Sequence, residues 1–187
     1  EAIVERADHL KNISAERIRV ELTKLLVSKE AGRIRDAYKT GMTKYFLPEL
    51  DAAMQTEQKN PHHIYTVGEH SICGIELMNC FFGITSDKKI YDKIPENVLE
   101  TAKQLAAKMD KKQQTVLCMT MLLHDIAKPA VMTVDEKGIG HFIGHPAQSE
   151  KMAKKIMRRL TFDNDSISKA CRLIRFHDYR MEDKSRA

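Results

Sequence analysis

The sequence contains no apolar run that approaches the roughly 18 residues of a membrane-spanning helix. Its longest apolar stretch, residues 116–123, is interrupted by Thr120. Hydrophobic residues make up 42% of the 187 positions and charged residues 30%, which is too apolar a composition for a disordered chain. These features predict a globular protein with a real core and no membrane span.

The signatures of secreted proteins are also absent. The chain opens on charged residues, without a signal peptide and without an initiator Met, so Glu1 need not be the natural start. The four cysteines form no Cys-x-x-Cys pair; they are Cys73, Cys80, Cys118 and Cys171. This pattern predicts reduced core thiols in a cytoplasmic protein, and neither disulfides nor a zinc knuckle.

Charge of one sign is in only mild excess. Thirty-one Lys and Arg against 26 Asp and Glu leave a net charge of +5, which favours polyanionic partners without establishing one. One helical stripe concentrates the positive charge; its members are Lys151, Lys154, Lys155, Arg158 and Arg159. This basic stripe is either a surface that follows an RNA backbone or an ordinary solvated helix face.

Helical periodicity covers nearly the whole chain. Typical N-cap residues precede three of the periodic segments, at Ser14, Thr66 and Asp163. The segment from Gln113 to Ala127 is apolar on nearly every side and predicts the central buried helix. Short β-like runs at 131–134 and 139–142 predict one small hairpin. The predicted fold class is therefore all-α, a helical bundle with one small β-hairpin.

The strongest chemical signal is the adjacent pair His124-Asp125 at the end of this central helix. A buried carboxylate is costly unless a cation or hydrogen bonds compensate it, and a divalent metal does so. Without a metal, the same pair is compatible with a His on the helix dipole and an Asp in a surface turn.

Two other helices offer ligand-type residues. His70 shares the predicted inner face of its helix with Cys73 and Leu77, and Asp178 extends the apolar stripe of Ile174. Taken singly, His70 is equally compatible with a satisfied core histidine, and Asp178 with a frayed helix end. Three helices that each place a ligand on the core side form a metal site in a bundle. Two imidazoles and two carboxylates suit Mn, Fe, Co, Ni or Zn, with positions left for water.

His70, His124-Asp125 and Asp178 resemble the H…HD…D signature of the HD superfamily of metal-dependent phosphohydrolases. More widely, the chain resembles the C-terminal part of bacterial tRNA nucleotidyltransferases, the CCA-adding enzymes of the poly(A) polymerase family. The passages that carry this resemblance are 13–18 with 46–50, 123–129 and 140–145. It implies an RNA-binding-type helical region at 1–57 and an HD domain at 58–187, divided in the polar stretch around Asn60-Pro61.

The resemblance implies a metal-dependent phosphohydrolase with Asp125 and Lys128 in the catalytic site. His145 and His177 would extend the metal ligands beyond His70, His124, Asp125 and Asp178. Capping or phosphate contact remains the alternative for His145, and helix capping the alternative for Lys128. The implied partners are tRNA or small phosphoesters: 2′,3′-cyclic phosphates, 2′-nucleotides or terminal phosphates.

The catalytic head of the nucleotide-adding family is missing from this chain. That head uses a Gly-rich loop followed by an Asp-x-Asp pair, and the only similar passage, 163–165, lies where a helix cap is needed. The chain therefore cannot add nucleotides by itself. Two further readings stay open: an HD module that only holds tRNA, and a free-standing nucleotide phosphohydrolase.

Overall fold

The computed structural model describes residues 2–59, 64–85 and 94–179. Its first part consists of short helices: α1 (Ala2–Glu5), α2 (Ala15–Leu26), α3 (Ile34–Lys39), α4 (Thr43–Phe46) and α5 (Pro48–Gln55), with 3₁₀ turns at Ala7–Asn12 and Ala31–Arg33. The second part contains α6 (Val67–Phe81), α7 (Glu96–Ala106), α8 (Lys111–Leu123), α9 (Lys128–Val131), α10 (His145–Arg159) and α11 (Asn164–Phe176). Strands β1 (Thr133–Val134) and β2 (Gly140–His141) form the antiparallel hairpin. The all-α prediction with one hairpin is confirmed.

The predicted helix starts are confirmed by their caps. Ser14 Oγ accepts from the backbone N–H of Arg17, and Thr66 Oγ1 accepts from that of Glu69. Asp163 accepts the N–H of Ser166 at the start of α11. Each side chain satisfies an N–H that the first helical turn leaves without a partner.

The central helix differs from the predicted span of 113–127. It begins at Lys111, because Asp110 and Gln113 form a reciprocal capping box. It ends at Leu123 and gives way to a turn before Pro129. Pro129 has no N–H for the carbonyl of Asp125, and its ring would clash there, so the α-helix cannot continue through this point. The early end places His124 and Asp125 on a turn.

Helix α6 buries a different face from the one expected. Its fully buried side chains include Ser71, Ile72, Ile75 and Asn79, whereas Cys73 is only half-buried. Ser71 donates to the carbonyl of Val67, and the amide of Asn79 donates to the carbonyls of Leu26 and Ile75. Hydrophobicity alone therefore misplaced the inner face, and His70 lies at its edge.

One hydrophobic core runs through both parts of the chain, from Leu22 to Ile174. The first part is also tied to α6 by Arg35, which donates to Glu69 at 2.8 Å and to Glu76 at 2.9 Å. The division between residues 57 and 58 stays a prediction. The Asn60-Pro61 signal lies outside the described residues. No described helix is both long and apolar enough to cross a membrane.

We predict that Gly68→Ala destabilises the packing of α5 on α6. A Cβ at Gly68 would lie 2.8 Å from the backbone nitrogen of Met54 and 2.9 Å from its Cα, and backbone cannot move aside cheaply. The expected loss is about 1 to 3 kcal/mol of unfolding free energy, measured by urea denaturation.

Gly74→Ala, in the same helix, is the matched control for Gly68→Ala. Its new Cβ would meet only the terminal methyl of Met121, a flexible side chain that can rotate away. Because Ala also favours the helix over Gly by about 1 kcal/mol, the control should unfold at the same or a higher urea concentration. Equal destabilisation by both substitutions would contradict the account of this contact.

Candidate metal centre

The ends of four helices meet around one carboxylate. Asp125 follows α8, His145 begins α10, His177 follows α11, and His70 lies in the first turns of α6. Asp125 is 2% exposed at the centre of the group. The fold thus brings together ligand-type residues that are widely separated in sequence.

Each oxygen of the Asp125 carboxylate faces a pair of imidazoles. Oδ2 lies 3.2 Å from Nε2 of His124 and 3.8 Å from Nε2 of His70. Oδ1 lies 3.1 Å from Nε2 of His145 and 3.4 Å from Nε2 of His177. Two ligand groups result, His70/His124/Asp125 and Asp125/His145/His177, and within each the donor atoms lie within 4.8 Å of one another.

Backbone carbonyls orient three of these rings. Nδ1 of His124 lies 2.8 Å from the carbonyl oxygen of Met121, and the Nδ1 atoms of His145 and His177 make equivalent contacts, 2.8 and 2.7 Å, to the carbonyls three residues earlier. A carbonyl only accepts hydrogen bonds, so each Nδ1 carries a proton and donates it. In the neutral ring the Nε2 atom then carries no proton and has a free lone pair. This is the form in which imidazole binds metals.

This arrangement needs a cation. An unprotonated Nε2 and a carboxylate oxygen are both acceptors, and they can lie together only with a proton or a metal ion between them. The same holds for Nε2 of His145 and Nε2 of His177, which are 3.2 Å apart. Oδ1 of Asp125 is buried and makes no hydrogen bond with the described residues. The donor set therefore fits a divalent transition metal of the N/O-ligated kind.

The charges of the centre are strongly coupled. Burial raises the pKa of Asp125, but when a proton takes the place of the cation, the attraction of the His124, His145 and His177 rings outweighs burial and holds this pKa well below its ordinary value. Burial lowers the pKa of His177, and the Asp125 carboxylate with the Ile174 carbonyl outweighs that effect, so the net shift is upward. Asp125 is consequently ionised in the folded protein at neutral pH, as a metal ligand must be.

Lys128 is buried beside the carboxylate, one turn beyond it. Its Nζ donates to Oδ2 of Asp125 at 2.8 Å and to Oε1 of Gln58 at 2.9 Å, and lies 5.2 Å from the centre of the Phe142 ring. An ammonium has three N–H groups, so one remains after these two contacts. Lys128 lines the pocket of the metal centre.

Gln58 is a residue of the site that was not predicted from the sequence. It is 2% exposed and is held by an antiparallel bridge between Glu57 and Thr66, while its amide donates to the carbonyl of Tyr65. In the sequence, Gln58 is one polar residue in a polar stretch before the N-cap of α6, a pattern typical of a linker. Only the tertiary fold places it against Lys128.

Asp178 is placed differently from the other predicted ligands. It lines the same pocket, but it is exposed and lies outside both ligand groups found among the described residues. The last helix ends at Phe176, so Asp178 does not continue its buried stripe. Its role as a metal ligand stays a prediction.

The basic stripe has the predicted amphipathic geometry. Its five members are exposed, while Ala153, Ile156, Met157 and Leu160 on the opposite face are buried. Arg159 is already paired, with two hydrogen bonds of 2.7 and 2.8 Å to Glu49. Contact with RNA by Lys151, Lys154, Lys155, Arg158 and Arg159 stays a prediction.

Two family models match the chain. Residues 1–54 match the probable RNA- and SrmB-binding site of polymerase A, and residues 95–186 match the HD domain. The chain has the RNA-binding-region-plus-HD architecture of the poly(A) polymerase family. The HD match indicates a relation to metal-dependent phosphohydrolases. HD domains bind divalent metals, and the His/Asp groups described above could hold one.

Curated proteins similar to this chain share less than a third of its residues in the aligned regions. The chain is 28% identical over 167 residues to a bifunctional uridylyltransferase/uridylyl-removing enzyme of Nitrobacter hamburgensis, and 26% identical over 172 residues to one of a Bradyrhizobium species. These alignments cover 89% and 91% of this chain but only 15% and 16% of the relatives. The chain thus spans a small part of the length of the curated relatives it matches.

We predict that the HD chain, purified without chelator, contains a transition metal, and that His124→Ala and Asp125→Asn lose it. Both substitutions remove ligand atoms of the centre. His141→Ala is the matched control, because His141 lines the same pocket but pairs with Asp135 at 3.0 Å and lies outside both ligand groups. Elemental analysis by mass spectrometry gives the metal-to-protein ratio. Full metal content in both ligand variants would refute the assignment.

Proposed function

We propose that this chain is a metal-dependent phosphohydrolase that cleaves a phosphoester of a nucleotide or of an RNA end. The observation that carries the proposal is the buried Asp125 carboxylate, surrounded by Nε2 atoms of four histidines at 3.1 to 3.8 Å. Such a centre is costly to build for stability alone, since it concentrates acceptors that repel one another without a cation.

The protein residues supply positioning and charge. His70, His124 and Asp125 would hold a divalent ion on one side of the carboxylate, with His145 and His177 on the other. When bound, such an ion polarises a phosphoryl oxygen and makes water a nucleophile at neutral pH. The carbonyl contacts of the histidine Nδ1 atoms keep their Nε2 atoms directed at the centre during turnover.

Lys128 would bind the substrate phosphate. Two of its three N–H groups are committed to Asp125 and Gln58, and the third can donate to a phosphoryl oxygen in the pocket. A positive charge held in a largely water-excluded position stabilises the negative charge that develops on the phosphoryl group. The hydrogen bond to Gln58 would hold the Lys128 ammonium in place, so that its N–H groups do not all point at the Asp125 carboxylate.

The pocket is compatible with a nucleotide-sized ligand. Its volume is about 720 Å³, and residues of the hairpin and residues that follow α11 line it. This volume is within the usual range for small-ligand sites. The names of the curated relatives include removal of a uridylyl group, which is cleavage of a nucleotide ester. The proposed substrates are 2′,3′-cyclic phosphates, nucleotides and terminal phosphates, and the proposed setting is tRNA processing in the cytoplasm.

A non-catalytic RNA-holding module is the second candidate. The observation that favours it is the match of residues 1–54 to an RNA-binding region. In that case the metal would serve stability: its removal would lower the unfolding temperature, and the metal-loaded protein would turn over no phosphoester. The two candidates therefore make opposite predictions for catalysis.

We predict that the metal-loaded protein hydrolyses bis(p-nitrophenyl) phosphate or a 2′,3′-cyclic nucleotide, and that Asp125→Asn abolishes this activity. Release of p-nitrophenolate measures the rate. Added Mn²⁺, Co²⁺ or Ni²⁺ should restore activity to metal-stripped wild type and not to the variant. A metal-replete wild type that turns over no phosphoester while still binding tRNA would leave only the RNA-holding candidate.

Lys128→Met should lower kcat by about 10- to 1,000-fold, because the variant loses one donor to the charge that forms in the transition state. Its metal content should stay near that of wild type, since Lys128 is not a ligand. Lys137→Met, a substitution of an exposed Lys in the hairpin turn, is the control for charge and should keep the wild-type kcat. Loss of metal in Lys128→Met would contradict the phosphate-binding role.

A further inference from the structure

Helices α10 and α11 enclose a second groove, of about 710 Å³. Four exposed cationic side chains line it, two from each helix: Lys154 and Arg158, Arg172 and Arg175. A single carboxylate, that of Glu150, accompanies them. The groove therefore carries a marked excess of positive charge, contributed by two neighbouring helices. The basic stripe, in contrast, lies on α10 alone.

The residues that line this groove are next in sequence to residues that line the pocket of the metal centre. Phe176 lines the groove, and the next two residues, His177 and Asp178, line the pocket of the metal centre. Arg172 precedes His177 by five residues, which is about 7.5 Å along a helix axis. A ligand that extends from the metal centre by the length of one or two nucleotides would reach the cationic side chains.

The charges of the groove are available to a ligand. Among the described residues, Lys154, Arg158 and Arg172 are in no ion pair, and Arg175 is in only a long one, 3.8 Å from Glu150. Arg159 on the same helix is different, because its guanidinium is occupied by Glu49. Unpaired cations on facing helices attract a polyanion from both sides.

Two exposed aromatic rings lie at the end of α11: that of Phe176, which lines the groove, and that of Tyr179, which contacts it. Phe176 is 58% exposed and Tyr179 is 72% exposed. Their rings meet edge to face with centroids 6.4 Å apart. Aromatic side chains beside a cationic groove are the combination on which single-stranded nucleic acids bind, with phosphates on the cations and bases on the rings.

We propose that this groove binds single-stranded nucleic acid and directs its phosphoester end into the metal centre. The backbone would lie along Lys154, Arg158, Arg172 and Arg175, and the end base would stack on Phe176 or Tyr179. The proposal rests on the proposed phosphohydrolase function and narrows its substrate class to oligonucleotide ends. An acidic peptide would use the cations but would leave the aromatic pair without a role.

The charge requirement is tested with two paired variants. Lys154→Gln/Arg158→Gln neutralises two groove residues, and Lys108→Gln/Lys111→Gln neutralises two exposed lysines that lie outside both the groove and the basic stripe. Fluorescence anisotropy with a labelled single-stranded oligoribonucleotide measures affinity over a range of salt concentrations. The groove pair should weaken binding about tenfold and reduce the salt slope by about 1.4, as expected for two lost phosphate contacts. Equal effects of the two pairs, or none, would overturn the proposal.

The stacking requirement is tested with Phe176→Leu, which keeps the side chain apolar and removes the ring. The variant should bind the intact oligonucleotide about fivefold or more weakly, and should bind an oligonucleotide with an abasic end residue as wild type does. An equal loss for both ligands, or no loss, would contradict stacking at the groove end. The groove would instead bind acidic protein if the Lys154→Gln/Arg158→Gln variant bound the intact oligonucleotide as wild type does but no longer bound a polyglutamate peptide.

These binding measurements separate the groove from the proposed enzyme. A wild type that shows both expected binding effects and hydrolyses no phosphoester would refute the hydrolase and support the groove as a nucleic-acid site. A wild type that hydrolyses phosphoesters while the groove pair binds the oligonucleotide normally would refute the groove alone.

Discussion

The structure of this chain depends on one buried charge. Asp125 is 2% exposed, and the groups around it are four imidazole rings and the ammonium of Lys128. A carboxylate in such a place is tolerable only when cations or strong hydrogen bonds replace the water it has lost. The ends of helices α6, α8, α10 and α11 are arranged so that these replacements reach it.

The surrounding backbone makes the centre rigid. The same device, an Nδ1–H group donated to the carbonyl three residues earlier, fixes His124, His145 and His177. Ser149 adds to this order, because its hydroxyl accepts the N–H of Ala127 in the turn that carries Asp125. Rings fixed in this way lose little further freedom when a ligand binds, which is what preorganisation of a metal site requires.

Much of the fold could be predicted because its signals are local. N-caps at Ser14, Thr66 and Asp163 and the two short strands depend on residues a few positions apart, and the structure has them where the sequence indicated. The end of the central helix was misjudged because apolar periodicity runs past the turn, and only the geometry of Pro129 stops it. The buried face of α6 was misjudged because Asn79 is buried through a carbonyl of α2, a partner 53 residues away.

Part of the site could be predicted because His and Asp are unusual next to apolar segments that become buried. His124-Asp125 stood out because two polar residues of metal-ligand type end a very apolar segment. Gln58 did not stand out, since its importance comes from a contact with Lys128 across 70 positions. The groove between α10 and α11 was seen only in half, because Arg172 and Arg175 join Lys154 and Arg158 through helix packing that no sequence spacing shows.

Anomalous diffraction from crystals of the metal-loaded protein, recorded at the absorption edge of the bound metal, tests the central claim most directly. The account predicts an anomalous peak within about 2.0 to 2.2 Å of a histidine Nε2 and of the Asp125 carboxylate. A loaded protein whose anomalous peaks all lie away from Asp125 would contradict it.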